Sequence, residues 1–192
     1  MVVWGDFKMK SQEFKEIQTK RLDLKPLCAS FDFANYLFNL ISKNREFFKF
    51  MPWVSIENAE QEFDWLRSAE SNWKNKKSAA YGMFLTGTDK FIGVCSFFDI
   101  NWTRESAEIG YWLDPKYSKQ NFMTEAVNGI VNEFFNVGFK RIIIKACPEN
   151  IASCKTAEKC GFELEGLLHS YDFLPAMNKR VNAALYARIK EK

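Results

Sequence analysis

The chain has 192 residues, 47% of them hydrophobic and 16% aromatic, which is typical of one globular domain with a full hydrophobic core. Its 27 basic and 24 acidic residues are spread along the sequence and leave a formal net charge of +3, which argues against a nucleic-acid partner. No apolar segment approaches the roughly 18 residues of a membrane span, and the N-terminus has no signal-peptide pattern. We therefore expect a cytoplasmic protein without a membrane partner, with residues 1–15 as a loose arm and residues 16–192 as a single domain.

The cysteine and histidine content excludes several kinds of site. The 5 cysteines contain no C-x-x-C pair, and only 1 histidine could complete a cluster, so we expect no metal site and reduced cysteines packed as small apolar residues. A nucleophilic role for Cys147 or Cys154 lacks a neighbouring base, because His169 lies in a different segment. His169 itself is expected to be a surface residue of a strand.

The first part of the sequence predicts one strand followed by two helices. Ile17–Leu27 alternates apolar and polar residues and predicts a strand. Ser30 is the expected N-cap of the first helix, and Asn58 is the expected N-cap of a second helix that runs through Trp73. Residues 45–53, REFFKFMPW, connect the helices and are too apolar for a solvated loop, so we expect them to cover a core or line a pocket.

The middle of the sequence predicts a change from antiparallel to parallel strands. Turn residues separate three consecutive apolar runs, which predict antiparallel strands at Ala79–Leu85, Phe91–Phe98 and Ala107–Leu113. From Met123 to Gly138 the apolar residues recur at helical spacing, and Arg141–Cys147 is a β-branched run typical of a strand covered on both faces. A strand, a crossover helix and a parallel strand follow from this order.

The last part predicts a short helix and two further strands. Asn150 can cap a helix that ends at Cys160, and strands are expected at Phe162–Leu168 and Val181–Ile189. The complete pattern predicts an α/β (α+β) domain with a mixed, largely antiparallel sheet of about seven strands and helices on both faces.

Several short motifs occur in a fixed order along the chain: TKRLDLKPL (Thr19–Leu27), MPW (Met51–Trp53), GYWLDP (Gly110–Pro115), MTEAV (Met123–Val127), PEN (Pro148–Asn150) and AEKCGFELEG (Ala157–Gly166). This set resembles the GNAT superfamily of acetyl-CoA-dependent N-acetyltransferases, in particular its RimJ/RimL-like branch of ribosomal-protein N-terminal acetyltransferases. The resemblance implies the GNAT fold, with a splayed central cleft that takes acetyl-CoA as cosubstrate. It also implies an amine acceptor, with a protein or peptide N-terminus favoured over a small amine such as a polyamine or aminoglycoside. A homodimer is left open.

The loop after GYWLDP departs from the family pattern. Members usually carry Gln or Arg at the first of four loop positions and Gly at the fourth, often with a further Gly between them. In this chain the four positions are Ser118–Asn121, SKQN, and none of them is glycine. The first turn of a helix attracts phosphate through unpaired N–H groups, and Asn tolerates the left-handed conformation that a glycine would supply. We therefore expect a usable phosphate site, with a solvated turn that no longer admits coenzyme A as the alternative. The expected cofactor-binding residues here are Ser118, Lys119, Gln120, Asn121, Phe122 and Met123.

The resemblance also suggests the groups that perform the chemistry. An acidic residue at the position of Glu108 takes the proton of the attacking amine, unless Glu108 only faces solvent or pairs with a lysine. Many members protonate the departing thiolate with a tyrosine where this chain has Ala157, and in the RimL-like branch a serine at the position of Ser153 is assigned this role.

The remaining cofactor contacts come from the strand before the loop and from the PEN motif. The backbone of Trp112 and Leu113 is expected to contact the pantetheine arm and to stabilise the thioester carbonyl. Asn150 is expected to contact the same arm, or to act only as a helix cap, and Ser153 is either a cofactor contact or an ordinary first-turn residue. A GNAT-fold binding module without turnover is the rival interpretation, because the expected glycines are missing.

Overall fold

The computed structural model describes residues 14–191, which form an eight-stranded sheet covered by helices. In chain order the strands are β1 (Ile17–Gln18), β2 (Leu22–Pro26), β3 (Ala79–Leu85), β4 (Phe91–Asn101), β5 (Ser106–Leu113), β6 (Arg141–Ala146), β7 (Glu163–Leu174) and β8 (Lys179–Ile189). The α-helices of this part of the chain are α1 (Phe31–Ser42), α2 (Ala59–Lys74), α3 (Phe122–Asn136) and α4 (Ile151–Lys159). Short 3₁₀ helices occupy Pro115–Tyr117 and Pro175–Met177.

The strand order across the sheet is β1-β2-β3-β4-β5-β6-β8-β7. Neighbouring strands are antiparallel except β5 and β6, which are parallel and are connected by α3. The predicted mixed, largely antiparallel sheet is therefore confirmed. It has one strand more than expected because the predicted strand at Ile17–Leu27 is two strands. Thr19 turns the chain there: its N–H donates to the carbonyl of Leu22 at 2.8 Å, and its hydroxyl accepts from the N–H of Leu22 at 3.0 Å.

Each face of the sheet has its own hydrophobic core. The apolar stripe of α3, which includes Val127 and Ile130, packs with residues of α4 against one face. On the other face, residues of α1 and α2 pack with Phe48 and the Trp112 side chain. Burial of these apolar side chains is the main driving force for the layered arrangement.

The predicted caps are present. Ser30 Oγ accepts from the N–H of Phe33 at 3.2 Å, and Asn58 Oδ1 accepts from the N–H of Gln61 at 3.0 Å. Both bonds satisfy a backbone donor that the first turn of a helix leaves unpaired. The other predicted boundaries lie within two residues of the observed ones, with two exceptions in the strands. β4 continues beyond Phe98 through a bulge, and β7 continues beyond Leu168 as far as Leu174.

The predicted N-terminal arm, residues 1–15, lies mostly outside the described residues. At its end, Phe14 packs against Trp73, with ring centroids 5.5 Å apart, and against Phe134 at 5.8 Å. Within residues 14–191, none of the helices combines the length and the apolar character needed to cross a membrane.

Candidate active site

The cleft of this protein forms where β5 separates from β6. The parallel pairing holds Ser106 to Arg141, Ala107 to Ile142 and Glu108 to Ile143, and it ends there, although β5 continues beside β4 as far as Leu113. One edge of β5 after Glu108 is therefore free of a strand partner. The left-handed residue Asp99, with φ of 49°, lies in the β4 bulge opposite this point. Bulges bend a strand and strengthen its twist, which favours the separation.

A cavity of about 620 Å³ passes through this opening. Its lining comes from the connection between α1 and α2, from α2, from the start of α4 and from β5, β6 and β7: Met51, Trp53, Glu62, Trp65, Glu108, Tyr111, Trp112, Lys145, Asn150, Ser153, Tyr171 and Asp172. The volume is in the usual range for a pocket that holds a small molecule. Of the predicted site residues, the structure brings Glu108, Trp112, Asn150 and Ser153 together around one space.

Glu108 lies on the face of the sheet that α1 and α2 cover. It is 8% exposed, and its Oε2 atom is 2.7 Å from Nζ of Lys145 on β6. The two groups form an ion pair, but their relative orientation does not meet the geometry of a hydrogen bond. Oε2 therefore receives no hydrogen bond from the described residues. Burial raises the pKa of Glu108, Lys145 lowers it, and the charges of Asp99 and Asp172 raise it further, with a raised pKa as the result. A carboxylate with these properties can take a proton from an amine in the cleft.

Ser153 lies on the opposite face of the sheet, in the first turn of α4. Its N–H donates to Oδ1 of Asn150 at 3.3 Å, so Asn150 is the N-cap, as predicted. The Tyr111 hydroxyl donates to the carbonyl of Ser153 at 3.1 Å and lies 3.2 Å from Ser153 Oγ. Because Tyr111 Oη can accept from Ser153 Oγ, the two hydroxyls form a short chain of proton donors. Burial raises the pKa of Tyr111, so this hydroxyl stays protonated at neutral pH.

Side-chain alternation along β5 explains why the two groups lie on different faces. Glu108 and Trp112 point to the α1 and α2 side, whereas Ile109 and Tyr111 point to the α3 and α4 side. A ligand in the gap between β5 and β6 would therefore have the carboxylate on one side and the hydroxyl pair on the other. This arrangement suits a reaction in which one group takes a proton and a separate group returns one.

The glycine-free loop has the conformation that glycines would give. Lys119 has φ of 61° and Asn121 has φ of 60°, both in the left-handed region that ordinary side chains seldom occupy. The expectation that Asn121 can replace a glycine in this conformation is confirmed, and the same conformation at Lys119 was not predicted. Within residues 14–191, the backbone N–H groups of residues 119–124 have no acceptor, and Ser118 Oγ is buried without a partner. These donors at the start of α3 are suited to bind phosphate oxygens.

Arg21, in the turn between β1 and β2, holds this loop in place. Its Nη1 donates to the carbonyl of Gln120 at 3.1 Å, and its guanidinium lies 4.2 Å from the centre of the Phe122 ring. Glu125 accepts from the backbone N–H and from Nε of Arg21, at 2.7 and 2.6 Å. Lys159 adds a positive charge, with its Nζ 3.1 Å from Oδ1 of Asn121. The loop therefore carries cations as well as unpaired N–H groups.

An aromatic wall closes the α1 and α2 side of the cleft. The Trp112 ring lies 5.6 Å from that of Phe48, 5.9 Å from that of Trp53 and 5.7 Å from that of Phe91. The prediction that residues 45–53 line a pocket is confirmed by Phe50, Met51, Pro52 and Trp53, which all line the cavity. Trp112 therefore fixes this wall through its side chain, in addition to the backbone role expected of it.

Sequence reasoning missed four side chains of the site: Arg21, Glu62, Tyr111 and Lys145. Tyr111 lies inside the quoted GYWLDP motif and Arg21 inside TKRLDLKPL, so the motifs marked the segments without giving these roles. Glu62 shares the buried stripe of α2 with Ala59, Leu66 and Ala69, and a carboxylate on an apolar stripe is a signal that the sequence did contain.

The remaining candidates lie away from this chemistry or have no partner for it. His169 is exposed on β7, where a surface residue was expected. All five cysteines are free, and the described residues hold no cluster of potential metal ligands. Cys147 borders the cavity and Cys154 is buried in α4.

Comparison with known proteins agrees with this geometry. Residues 21–163 match the family described as "Acetyltransferase (GNAT) domain". The ribosomal-protein-serine acetyltransferase of Escherichia coli is 32% identical over 156 residues, covering 80% of this chain and 85% of that protein. The probable N-acetyltransferase YjcK of Bacillus subtilis is 29% identical and covers 67% of this chain and 74% of its own length.

Solved structures with the same fold include acetyltransferases. The microcin C7 self-immunity acetyltransferase MccE, in complex with acetyl-CoA and AMP, superposes with a TM-score of 0.80 at 27% identity, covering 90% of this chain and 94% of that one. RimL, a ribosomal L7/L12 alpha-N-protein acetyltransferase in complex with coenzyme A, gives a TM-score of 0.81 at 24% identity, covering 91% and 98%. With the family match and the 32% identical relative, the chain belongs to the GNAT acetyltransferases, in their RimJ/RimL-like branch.

Proposed function

We propose that this protein transfers the acetyl group of acetyl-CoA to a primary amine, the N-terminus of a protein or peptide, by direct attack in a ternary complex. The observation that carries the proposal is the opening between β5 and β6, with Glu108 on one face and the pair of Ser153 and Tyr111 on the other. A GNAT-family chain that retains this arrangement has the groups that acetyl transfer needs. Five free cysteines accord with a cytoplasmic location.

The start of α3 is the proposed site for the pyrophosphate of the cosubstrate. The N–H groups of residues 119–124 would donate to the phosphate oxygens, and Lys119 and Lys159 would offset their charge. The free edge of β5 between Ile109 and Leu113 would bind the pantetheine arm through its backbone. The pantetheine arm would then lead the thioester into the gap between the strands.

The reaction begins with an ammonium group on the α1 and α2 side of the sheet. Glu108 takes one proton, and the free lone pair attacks the thioester carbonyl carbon to form the C–N bond. Backbone N–H groups of β5 would stabilise the negative oxygen of the tetrahedral intermediate. When the C–S bond breaks, Ser153, whose Oγ lies 3.2 Å from the Tyr111 hydroxyl, donates its hydroxyl proton to the departing thiolate. The attacking nitrogen loses its second proton to water, Ser153 Oγ regains a proton from water, and Glu108 releases the first proton to water, so one ammonium group and acetyl-CoA give an amide, a thiol and one free proton.

Relatives support a protein acceptor, because the 32% identical one is named for acetylating a ribosomal-protein serine. A small polyamine is the second candidate, and the carboxylates of Glu62, Asp99 and Asp172 in the same cavity favour it. A binding module without turnover has less support, since the glycine-free loop still has the left-handed conformations and the unpaired N–H groups.

Release of coenzyme A, followed with a thiol reagent, tests the proposal. Wild-type protein is mixed with acetyl-CoA and with peptides that have a free N-terminus, and the matched controls are the same peptides with a blocked N-terminus. We expect thiol release only with the free amines. Calorimetry separates the alternatives: binding of acetyl-CoA without turnover on any amine would indicate a binding module, and absence of binding would refute the proposed function.

A further inference from the structure

Glu62 is a buried carboxylate that the acetyl-transfer chemistry does not use. It lies in the first part of α2, is 5% exposed and lines the cleft. In residues 14–191, no side chain or backbone N–H donates to its oxygens within hydrogen-bond distance, and no cation pairs with it. Glu60, two residues earlier on the same helix, is exposed and provides a natural comparison.

The cleft that Glu62 lines has more acidic than basic side chains. Asp99, Glu108 and Asp172 line the same cavity, against the single cation Lys145 among the lining residues of the described chain. Lys145 is already engaged, by Glu108 at 2.7 Å and by the Tyr171 hydroxyl at 2.6 Å. Among the described residues that line the cleft, no unengaged cation is therefore left for Glu62.

Burial without a partner is costly for a carboxylate, and it raises the pKa of Glu62 to about 7. The cost is recovered if a ligand brings a positive charge into the cleft. The walls are suited to this, because Trp53 and Trp65, each 38% exposed, line the same space, and aromatic rings attract cations. A carboxylate among aromatic rings is a recurrent way to bind ammonium and guanidinium groups.

We propose that Glu62 binds a second positively charged nitrogen of the acceptor, while the amine to be acetylated lies at Glu108. This inference rests on the proposed function and names the acceptor class: amines that carry a further ammonium or guanidinium group. Glu62 is on α2 and Glu108 is on β5, so the two carboxylates approach the acceptor from different elements. The second cation can come from a Lys or Arg side chain next to a peptide N-terminus or from a short diamine.

Paired acceptors that differ only in the second charge test this. One pair is a peptide that begins Ser-Lys and the same peptide with norleucine in place of the lysine; the other is 1,4-diaminobutane and 1-aminobutane. Coenzyme A release gives kcat and KM for each acceptor with wild type, Glu62→Gln and the exposed control Glu60→Gln. The pair that shows the preference identifies the source of the second cation.

In the wild type, we expect kcat/KM to favour the dicationic member of at least one pair by tenfold or more. Glu62→Gln should remove this preference through a higher KM for the dication, with kcat retained and the monocation affected less than about twofold. Glu60→Gln should keep the wild-type ratio. A wild-type ratio near one in both pairs, or the same ratio in Glu62→Gln, would overturn the inference.

A second measurement does not depend on turnover. With coenzyme A bound, calorimetric titration of wild type with 1,4-diaminobutane and with the Ser-Lys peptide should show binding of at least one that Glu62→Asp weakens and Glu62→Gln abolishes. Equal binding by all three proteins would refute the role of Glu62. Turnover without charge preference would defeat this inference alone, whereas lack of acetylation of every amine would defeat the proposed function and this inference with it.

Discussion

Replacement of Glu62 by glutamine should change how stability depends on pH. Glu62 has an ordinary pKa of 4.5 in the unfolded chain, and burial raises its pKa to about 7 in the folded protein. Below pH 4.5 the carboxyl group is neutral in both states, and above about pH 7 it is charged in both, so the folded state must bury the charge. The stability of the wild type should therefore fall as pH rises from 4.5 to about 7.

The size of this loss follows from the pKa difference. At about 1.4 kcal/mol for each pH unit, the difference between 4.5 and about 7 corresponds to roughly 3 kcal/mol. Glu62 borders a cleft open to water, which screens its charge, so we expect about 2 kcal/mol. Glutamine has almost the same shape and does not ionise, so Glu62→Gln should be more stable than wild type by about this amount at pH 8 and nearly equal to it at pH 4.5.

Urea denaturation at a series of pH values measures the difference between the two proteins. The other charged groups that line the cleft, Asp99, Glu108, Lys145 and Asp172, are present in both proteins, so most of their contribution cancels in the difference. Glu60→Gln serves as control and should track the wild type across the range. A Glu62→Gln difference that stays constant with pH would show that Glu62 is not a buried, unpaired carboxylate.

Three further expectations concern the acetyl-transfer chemistry. Glu108→Gln should lower kcat/KM by about a hundredfold to ten-thousandfold in the coenzyme A release assay, with acetyl-CoA affinity unchanged by calorimetry. The kcat/KM of the wild type should fall as acid protonates Glu108 below its raised pKa. A small effect of the substitution would assign proton removal to another group. Ser153→Ala should lower kcat about tenfold or more without changing acetyl-CoA affinity. Tyr111→Phe should lower kcat less, because the Tyr111 hydroxyl acts through Ser153. A larger loss of kcat in Tyr111→Phe would make Tyr111, and not Ser153, the group that donates the proton. Asn121→Gly should retain or improve acetyl-CoA affinity, and weaker binding by this variant would show that the Asn121 side chain contributes to the site. Asn121→Ala should lose about 1 kcal/mol of unfolding free energy, because alanine lacks the short polar side chain that lets asparagine adopt φ of 60° at low cost.

Most of the fold could be predicted from local patterns. The stripe of α3, the caps Ser30 and Asn58, and the β-branched run of β6 each express an interaction between neighbours in the sequence, and each appears in the structure. The turn at Thr19 was missed because its hydrogen bonds interrupt an alternation that otherwise reads as one strand.

For the candidate site, the sequence predicted a set of residues and segments but not the contacts between them. The order of the motifs located Glu108, Ser153 and the loop after Asp114, since these positions follow from the resemblance to the family. The loop conformation at Lys119 was not predicted, because a lysine seldom adopts positive φ unless the surrounding structure holds it there. Arg21, which donates to the carbonyl of Gln120, is a part of that surrounding structure.

The sequence by itself determined the order of the elements, the family and the segments proposed to hold the site, because periodicity, caps and motifs are properties of residues close together in the chain. Only the tertiary structure decided which distant side chains meet. Tyr111 reaches Ser153 and Lys145 reaches Glu108 because β5 and β6 pair for a few residues and then separate. Tertiary structure also leaves Glu62 without a partner among residues 14–191, because the packing of α2 over the sheet, and no feature within α2 alone, sets which charges face the cleft.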